Sequence, residues 1–138
     1  TPEVIEALEA LMLRRRADEN ARAWAASALS RMGRSDIVLG AAGRLPDDVI
    51  VRGITDPLRS FRDHGAHRPL DYRPVETALR ELPHLEVALQ QELQPGVGYC
   101  VLAPDEYSTA RAALDSEWQL VREHARLVLT HAGVTLDG

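Results

Sequence analysis

The chain has 138 residues, of which 45% are hydrophobic, 27% are charged and only 4% are aromatic, and its formal net charge is −5. This hydrophobic content excludes intrinsic disorder and predicts a single domain over residues 1–138, with one core filled mainly by aliphatic side chains. The acidic balance disfavours general nucleic-acid binding, because neutralising phosphates requires a surplus of basic residues.

The first predicted element is one long helix over residues 2–32. Thr1 is a natural N-cap, and Gly33 is a typical helix stop. The apolar stripe of this segment, which includes Trp24, is interrupted by a charged run over 14–19, where the helix is expected to bend or to extend beyond the core. A helix of about 31 residues would be about 46 Å long, whereas a domain of this size has a radius of gyration of about 14 Å. Part of the helix is therefore expected to need a partner.

Residues 35–58 give weaker signals. The segment 36–43 suits either a short helix or a strand, because it combines β-branched residues with two glycines. Residues 46–48 predict a helix start ahead of an apolar run. A helix-turn-helix drawn over 37–54 is disfavoured, because its second helix would present two aspartates to the DNA. The basic cluster over 14–16 is expected to be a solvated helix face, partly paired with acidic residues of the same helix.

Residues 59–73 form a polar stretch that predicts the longest irregular connection of the chain. Its arginine, histidine and tyrosine side chains suit an anionic compound or an acidic partner surface. The candidate ligand-binding or partner-binding residues are Arg62, His64, His67, Arg68 and Tyr72. The alternative is a solvated connection with internal ion pairs, each contributing about 0–1 kcal/mol.

The C-terminal half predicts two further helices. Pro74 opens an amphipathic helix, and Pro83 inside it is expected to bend or split it. Residues 97–103 are short and apolar and suit either a buried connector or one isolated strand. The last helix is predicted over 104–132, ahead of Gly133. Together these elements predict a mainly α fold, a bundle of about four to five helices with long N-terminal and C-terminal helices.

The last predicted helix carries Arg126 and His131. Over these six residues the spacing resembles the arginine-x4-to-6-histidine motif of the HEPN helical ribonuclease superfamily. The resemblance implies a small dimeric bundle in which the two residues meet in a cleft between subunits and cleave RNA. This sequence departs from the family in having Leu127 where a polar residue usually follows the arginine. A five-residue step also turns the two side chains about 140° apart on a helix.

The sequence contains no metal-binding, nucleophile or nucleotide-binding motif. His124 and His131 would lie about 10.5 Å apart along a helix, too far to bind one ion together, and the usual zinc patterns are absent. The sequence has no nucleophile elbow, phosphate-binding loop or dinucleotide fingerprint. We therefore expect no metal site, no cofactor and no assigned catalytic residue.

The expected location is the cytoplasm, because the single Cys100 cannot form an internal disulfide. Cys100 lies in an apolar run and is expected to be a buried thiol. The N-terminal residues lack a secretory signal pattern, and no apolar run approaches the roughly 20 residues that span a bilayer. We therefore expect no membrane partner.

These observations favour a noncatalytic cytoplasmic protein that acts through protein–protein association, as a homodimer or with another protein. Alanine-rich stripes and two tryptophans in predicted helices support this interpretation. One alternative is an enzyme or small-ligand binder that uses the connection over 59–73 for an anionic compound. The other alternative is a HEPN-like ribonuclease that uses Arg126 and His131.

Overall fold

The computed structural model describes residues 1–58, 70–93 and 102–136. Within these ranges the protein contains α-helices and short 3₁₀ turns and no strand, which confirms the mainly α fold class. The α-helices are α1 (Pro2–Leu13), α2 (Glu19–Arg31), α3 (Ser35–Gly40), α4 (Asp47–Ile54), α5 (Arg73–Glu81), α6 (Glu86–Glu92), α7 (Tyr107–Ala113) and α8 (Gln119–His131).

The prediction of one long helix over residues 2–32 is wrong. α1 ends at Leu13, and the chain turns through the charged run before α2 begins. The Asp18 carboxylate accepts a hydrogen bond from the backbone N–H of Asn20 at 3.3 Å, so Asp18 is the N-cap of a new helix. The charged residues thus form a solvated turn. The length of the first helix consequently gives no argument for a partner.

α1 and α2 form an antiparallel helical hairpin. Buried Arg22 in α2 donates a hydrogen bond from Nε to the carbonyl of Met12 at 2.8 Å, which joins the end of α1 to the beginning of α2. On its other side α2 packs against α4, where a Cβ added to Gly53 would lie 2.8 Å from the Cβ of Ala26. α2 therefore lies between α1 and α4.

Both 13-residue helices end as the sequence predicts. Gly33 follows α2 and Gly133 follows α8, with φ angles of 79° and 83°. In each case the residue after the glycine donates a hydrogen bond back to the last turn of the helix. The Arg34 N–H donates to the Leu29 carbonyl at 2.8 Å, and the Val134 N–H donates to the Leu129 carbonyl at 2.9 Å. This is the Schellman motif, in which glycine adopts the left-handed conformation without steric cost.

The segment 36–43, which suited a helix or a strand, is helical in α3 and continues into a 3₁₀ turn over Ala42–Arg44. α4 begins after Pro46, as predicted. Pro83 separates α5 from α6 and starts a 3₁₀ turn over Pro83–Leu85, which confirms the predicted split.

The prediction of one final helix over 104–132 is also wrong. The chain leaves the helical path between α7 and α8, where Ser116 makes hydrogen bonds that compete with helix continuation. Its hydroxyl donates to the Glu76 carboxylate at 2.8 Å and accepts from the Trp118 N–H at 3.2 Å. Of the possible strand over 97–103, residues 97–101 and with them Cys100 lie outside the described residues.

The core is aliphatic, as the composition predicts. The described helices α1, α2, α4, α6 and α8 all contribute to one hydrophobic cluster, whose largest fully buried members are Met12, Leu29, Ile50, Ile54, Leu58, Leu85, Leu89 and Leu129. The eight described helices replace the predicted four to five because three predicted segments, 2–32, 74–93 and 104–132, each divide into two helices. Across the described ranges, no helix is both long and apolar enough to cross a membrane.

Candidate functional site

The predicted binding connection is described only at its C-terminal end. Arg62, His64, His67 and Arg68 lie outside the described residues, so their convergence on a ligand stays a prediction. Tyr72 is described, and only 5% of it is exposed. Its hydroxyl lies 2.7 Å from Nδ1 of His124, and the two rings meet edge to face with centroids 5.4 Å apart. The Tyr72 side chain is thus directed into the core and not towards solvent.

His124 is a polar residue whose burial the sequence did not predict. It is 6% exposed in α8, and burial lowers its pKa to about 4, while a hydrogen bond with the Leu58 backbone acts in the opposite direction. The imidazole is therefore neutral at pH 7. A neutral ring can accept the hydrogen bond that the Tyr72 hydroxyl donates to Nδ1.

Glu106 provides a second buried polar contact to the same segment. Its carboxylate accepts hydrogen bonds from the backbone N–H of Leu70 and, at 2.7 Å, from that of Ala103. Only 4% of Glu106 is exposed. Tyr72, His124 and Glu106, which we call the buried polar cluster, thus attach residues 70–72 to the C-terminal helices. Tyr72 and His124 hydrogen-bond to each other, and Glu106 hydrogen-bonds to backbone N–H groups, as buried polar groups that hold a fold together usually do.

A groove of about 710 Å³ lies between the end of α2, α3 and α5. Its charged lining includes Asp36, Asp71 and Arg73. Hydrogen bonds from Arg34 at 3.0 and 3.1 Å lower the pKa of Asp36. Burial alone raises the pKa of Asp71, but the hydrogen bonds from Arg73 outweigh it and the pKa is lowered. The lining also contains Arg31 and Glu81, so it carries three acidic and two basic side chains and does not favour an anionic ligand.

The two residues of the ribonuclease alternative are exposed on α8. Arg126 lies in the middle of the helix and His131 is its last residue. The structure contains one protomer, so the meeting of Arg126 and His131 in a cleft between subunits stays a prediction. Among the described residues, no group of three or more histidine, cysteine, aspartate or glutamate side chains is arranged to hold a metal ion.

The most unusual surface of the described part lies on the hairpin. The exposed large hydrophobic side chains there are Val4 (46% exposed), Trp24 (56%) and Met32 (42%), and a fourth, Val87 (64%), lies on α6. The sequence places Trp24 in the apolar stripe of the first predicted helix, and the structure shows that its side chain is exposed. Soluble proteins commonly expose single apolar residues, whereas larger contiguous apolar patches are typical of interaction surfaces.

Helix geometry puts these side chains on one side of the hairpin. Trp24 is about 160° around α2 from Ala26, which contacts α4, so Trp24 faces away from the core. On α1 the buried residues Leu8 and Met12 turn inward, while Val4 lies about 60° from their mean direction, on the Trp24 side of the antiparallel pair. We define the hairpin face as Val4, Ala7, Leu11, Trp24, Ala28 and Met32.

Charged side chains flank the hairpin face. Glu3 and Glu6 are exposed near the beginning of α1, and Arg14, Arg15 and Arg16 are exposed just beyond its end. Among the described residues, none of these five side chains takes part in an ion pair. The expectation that the three arginines pair with acidic residues of their own helix is therefore wrong, because the helix ends before them.

No protein-family model, no curated protein and no solved structure matches this chain. We therefore infer function from the chain's own residues. Of the surfaces above, the hairpin face combines exposed apolar side chains with charges that lack internal partners among the described residues, and the groove and the buried polar cluster do not.

Proposed function

We propose that this chain is a noncatalytic cytoplasmic protein that acts by protein–protein association through the hairpin face. The observation that carries the proposal is that three of the four exposed large hydrophobic side chains of the described part lie on α1, on α2 and at the residue that follows α2. Burying one such side chain contributes about 1.5–3 kcal/mol. A partner that covered all three would gain enough to offset much of the cost of association.

Trp24 is the expected centre of the contact. Tryptophan is enriched among the few residues that dominate binding energy, and it combines a large apolar area with little conformational entropy to lose. Ala7 and Ala28 on the same face allow another helix to approach closely. The flanking glutamates and arginines supply the polar rim that surrounds most interface cores.

Site-specific photocrosslinking tests this proposal. The photoreactive residue p-benzoylphenylalanine replaces Trp24 in the full chain, inside the cells that express it, and adducts are identified by mass spectrometry. The matched control carries the same residue at Val87, which is exposed on α6 and away from the hairpin.

We expect adducts from position 24 at least about tenfold more abundant than those from position 87, because only the first lies in the expected contact. Equal labelling from both positions, or none from either, would contradict association through the hairpin face.

A further inference from the structure

We propose that the occupant of the hairpin face is a second copy of this chain, packed about a twofold axis with the two α1 helices antiparallel. This inference rests on the proposed function and specifies its partner. It depends on how apolar and charged residues are ordered along α1 and the turn that follows it, where all the residues concerned are exposed or half-buried.

The apolar residues of α1 have the symmetry that a twofold contact requires. In such an interface, residue i of one copy meets residue j of the other, and j meets i. Val4 and Leu11 lie almost equally far from Ala7, so two antiparallel α1 helices place Val4 against the partner's Leu11 and bring the two Ala7 residues close to the axis. A small residue at the axis allows the helices to approach to about 8–10 Å.

The charges of the hairpin fix the relative direction of the two helices. Glu3 and Glu6 lie near one end of α1, and the arginines at 14–16 lie beyond the other end, about 16 Å from Glu3. Antiparallel packing brings the acidic end of each copy to the basic end of its partner. Parallel packing would instead bring like charges together, which disfavours that arrangement.

The hydrogen bond between Arg22 and Met12 sets the position of Trp24 in the same arrangement. It aligns α2 with α1 so that Trp24 lies level with about residue 10 of its own α1. In the antiparallel dimer that level coincides with about residue 5 of the partner. Trp24 of each copy therefore covers Val4 of the other. The same antiparallel geometry thus forms both Trp24–Val4 contacts and brings the acidic end of each copy to the basic end of its partner.

Charge reversal with complementation tests this geometry. One variant carries Glu3→Arg and Glu6→Arg, and the other carries Arg14→Glu, Arg15→Glu and Arg16→Glu. Size-exclusion chromatography with light scattering at about 50 mM salt, where ionic screening is weak, measures the mass of each variant and of their equimolar mixture. A control with Glu81→Arg and Glu86→Arg makes the same charge change as the first variant on exposed residues of α5 and α6.

We expect the parent and the control to be dimers, each reversed variant to dimerise about tenfold more weakly, and the equimolar mixture to recover the parent affinity as a heterodimer. In the parent, raising the salt to about 500 mM should weaken dimerisation severalfold, because the flanking ion pairs are screened. The salt series requires no variant, so it tests the geometry even where a reversed chain fails to fold.

Three outcomes would overturn the inference. A parent chain that is monomeric at about 100 μM excludes a second copy as the partner, while crosslinks from position 24 to another protein would leave the proposed function intact. A dimeric parent whose mixed variants do not recover affinity excludes the antiparallel arrangement. A dimer that is insensitive to salt and to both reversals shows that the charges do not set the contact.

Discussion

The hairpin and the buried polar cluster distribute their side chains in opposite ways. On the hairpin, apolar side chains such as Trp24 are exposed, and neighbouring charges have no ion-pair partner among the described residues. In the buried polar cluster, Tyr72, His124 and Glu106 are enclosed, and their polar atoms hydrogen-bond within the chain. The hydrogen bonds described for the cluster lie within one protomer, whereas the hairpin face is the surface that we propose for contact with another molecule. Substitutions in the buried polar cluster should therefore change folding stability, and substitutions on the hairpin face should change assembly.

The largest effect is expected from Trp24→Glu. Placing a carboxylate at the centre of the proposed contact should weaken dimerisation about a thousandfold, or about 4 kcal/mol, because the charge would have to be buried without a partner. Sedimentation equilibrium measures the dissociation constant, and urea unfolding at a concentration where both proteins are monomeric should show stability within about 0.5 kcal/mol of the parent. Val87→Glu is the control, since it adds the same charge on α6. Unchanged dimerisation of Trp24→Glu would show that the hairpin face is not the dimer contact.

Acidification should affect the buried polar cluster and leave the hairpin intact above pH 5. The folded-state pKa of His124 is lowered to about 4, so the unfolded chain takes up the proton first as pH falls below about 6.5. The free energy of unfolding is therefore highest above that pH and should fall by about 1.4 kcal/mol per pH unit, or about 3 kcal/mol in all by pH 4.

Urea unfolding at pH 7.0, 6.0 and 5.0 measures this slope. A His124→Gln variant should be less stable at pH 7 but should have a flatter pH dependence over the same range, because it has no imidazole to protonate. Equal slopes for the two proteins would mean that His124 is not the group responsible.

The smallest effect that we predict is that of Tyr72→Phe. Removing the hydroxyl leaves Nδ1 of buried His124 without the hydrogen bond that Tyr72 supplies, at a cost of about 1–3 kcal/mol in unfolding free energy. Thermal unfolding followed by circular dichroism measures the change. The dimer dissociation constant should stay within about twofold of the parent. A larger effect on assembly than on stability would show that the two regions are coupled.

Local signals in the sequence predicted several helix ends. Thr1 caps α1, Gly33 and Gly133 terminate α2 and α8, and Pro83 separates α5 from α6. Each of these effects depends on the backbone conformation or the missing N–H of one residue and on its immediate neighbours. Such signals can be read without knowing the tertiary structure.

The two wrong helices share one cause. Apolar residues at intervals of three to four resume after the interruption at 14–19 and after the turn at 114–118, so each pair of helices was interpreted as one. The deciding residues, Asp18 and Ser116, were visible as polar residues that compete with helix continuation. A charged run that contains an N-cap residue should have indicated a helical hairpin.

The sites depended on tertiary structure and were harder to predict. Tyr72 and His124 are 52 residues apart, and nothing in the sequence of either predicts that their side chains meet. The exposure of Trp24 was equally hidden, because the same apolar spacing describes a helix face that is buried in the core and one that awaits a partner. α1 did offer a signal, since apolar residues cover more of its circumference than one neighbouring helix can bury.

Gly53 allows α2 and α4 to pack closely where they meet. A Cβ placed on Gly53 would lie only 2.8 Å from the Cβ of Ala26, closer than real Cβ atoms approach. Replacing Gly53 with alanine would therefore require one of the two helices to shift. A shift of α2 would carry Trp24 with it, so a residue outside the hairpin can change where the hairpin face lies.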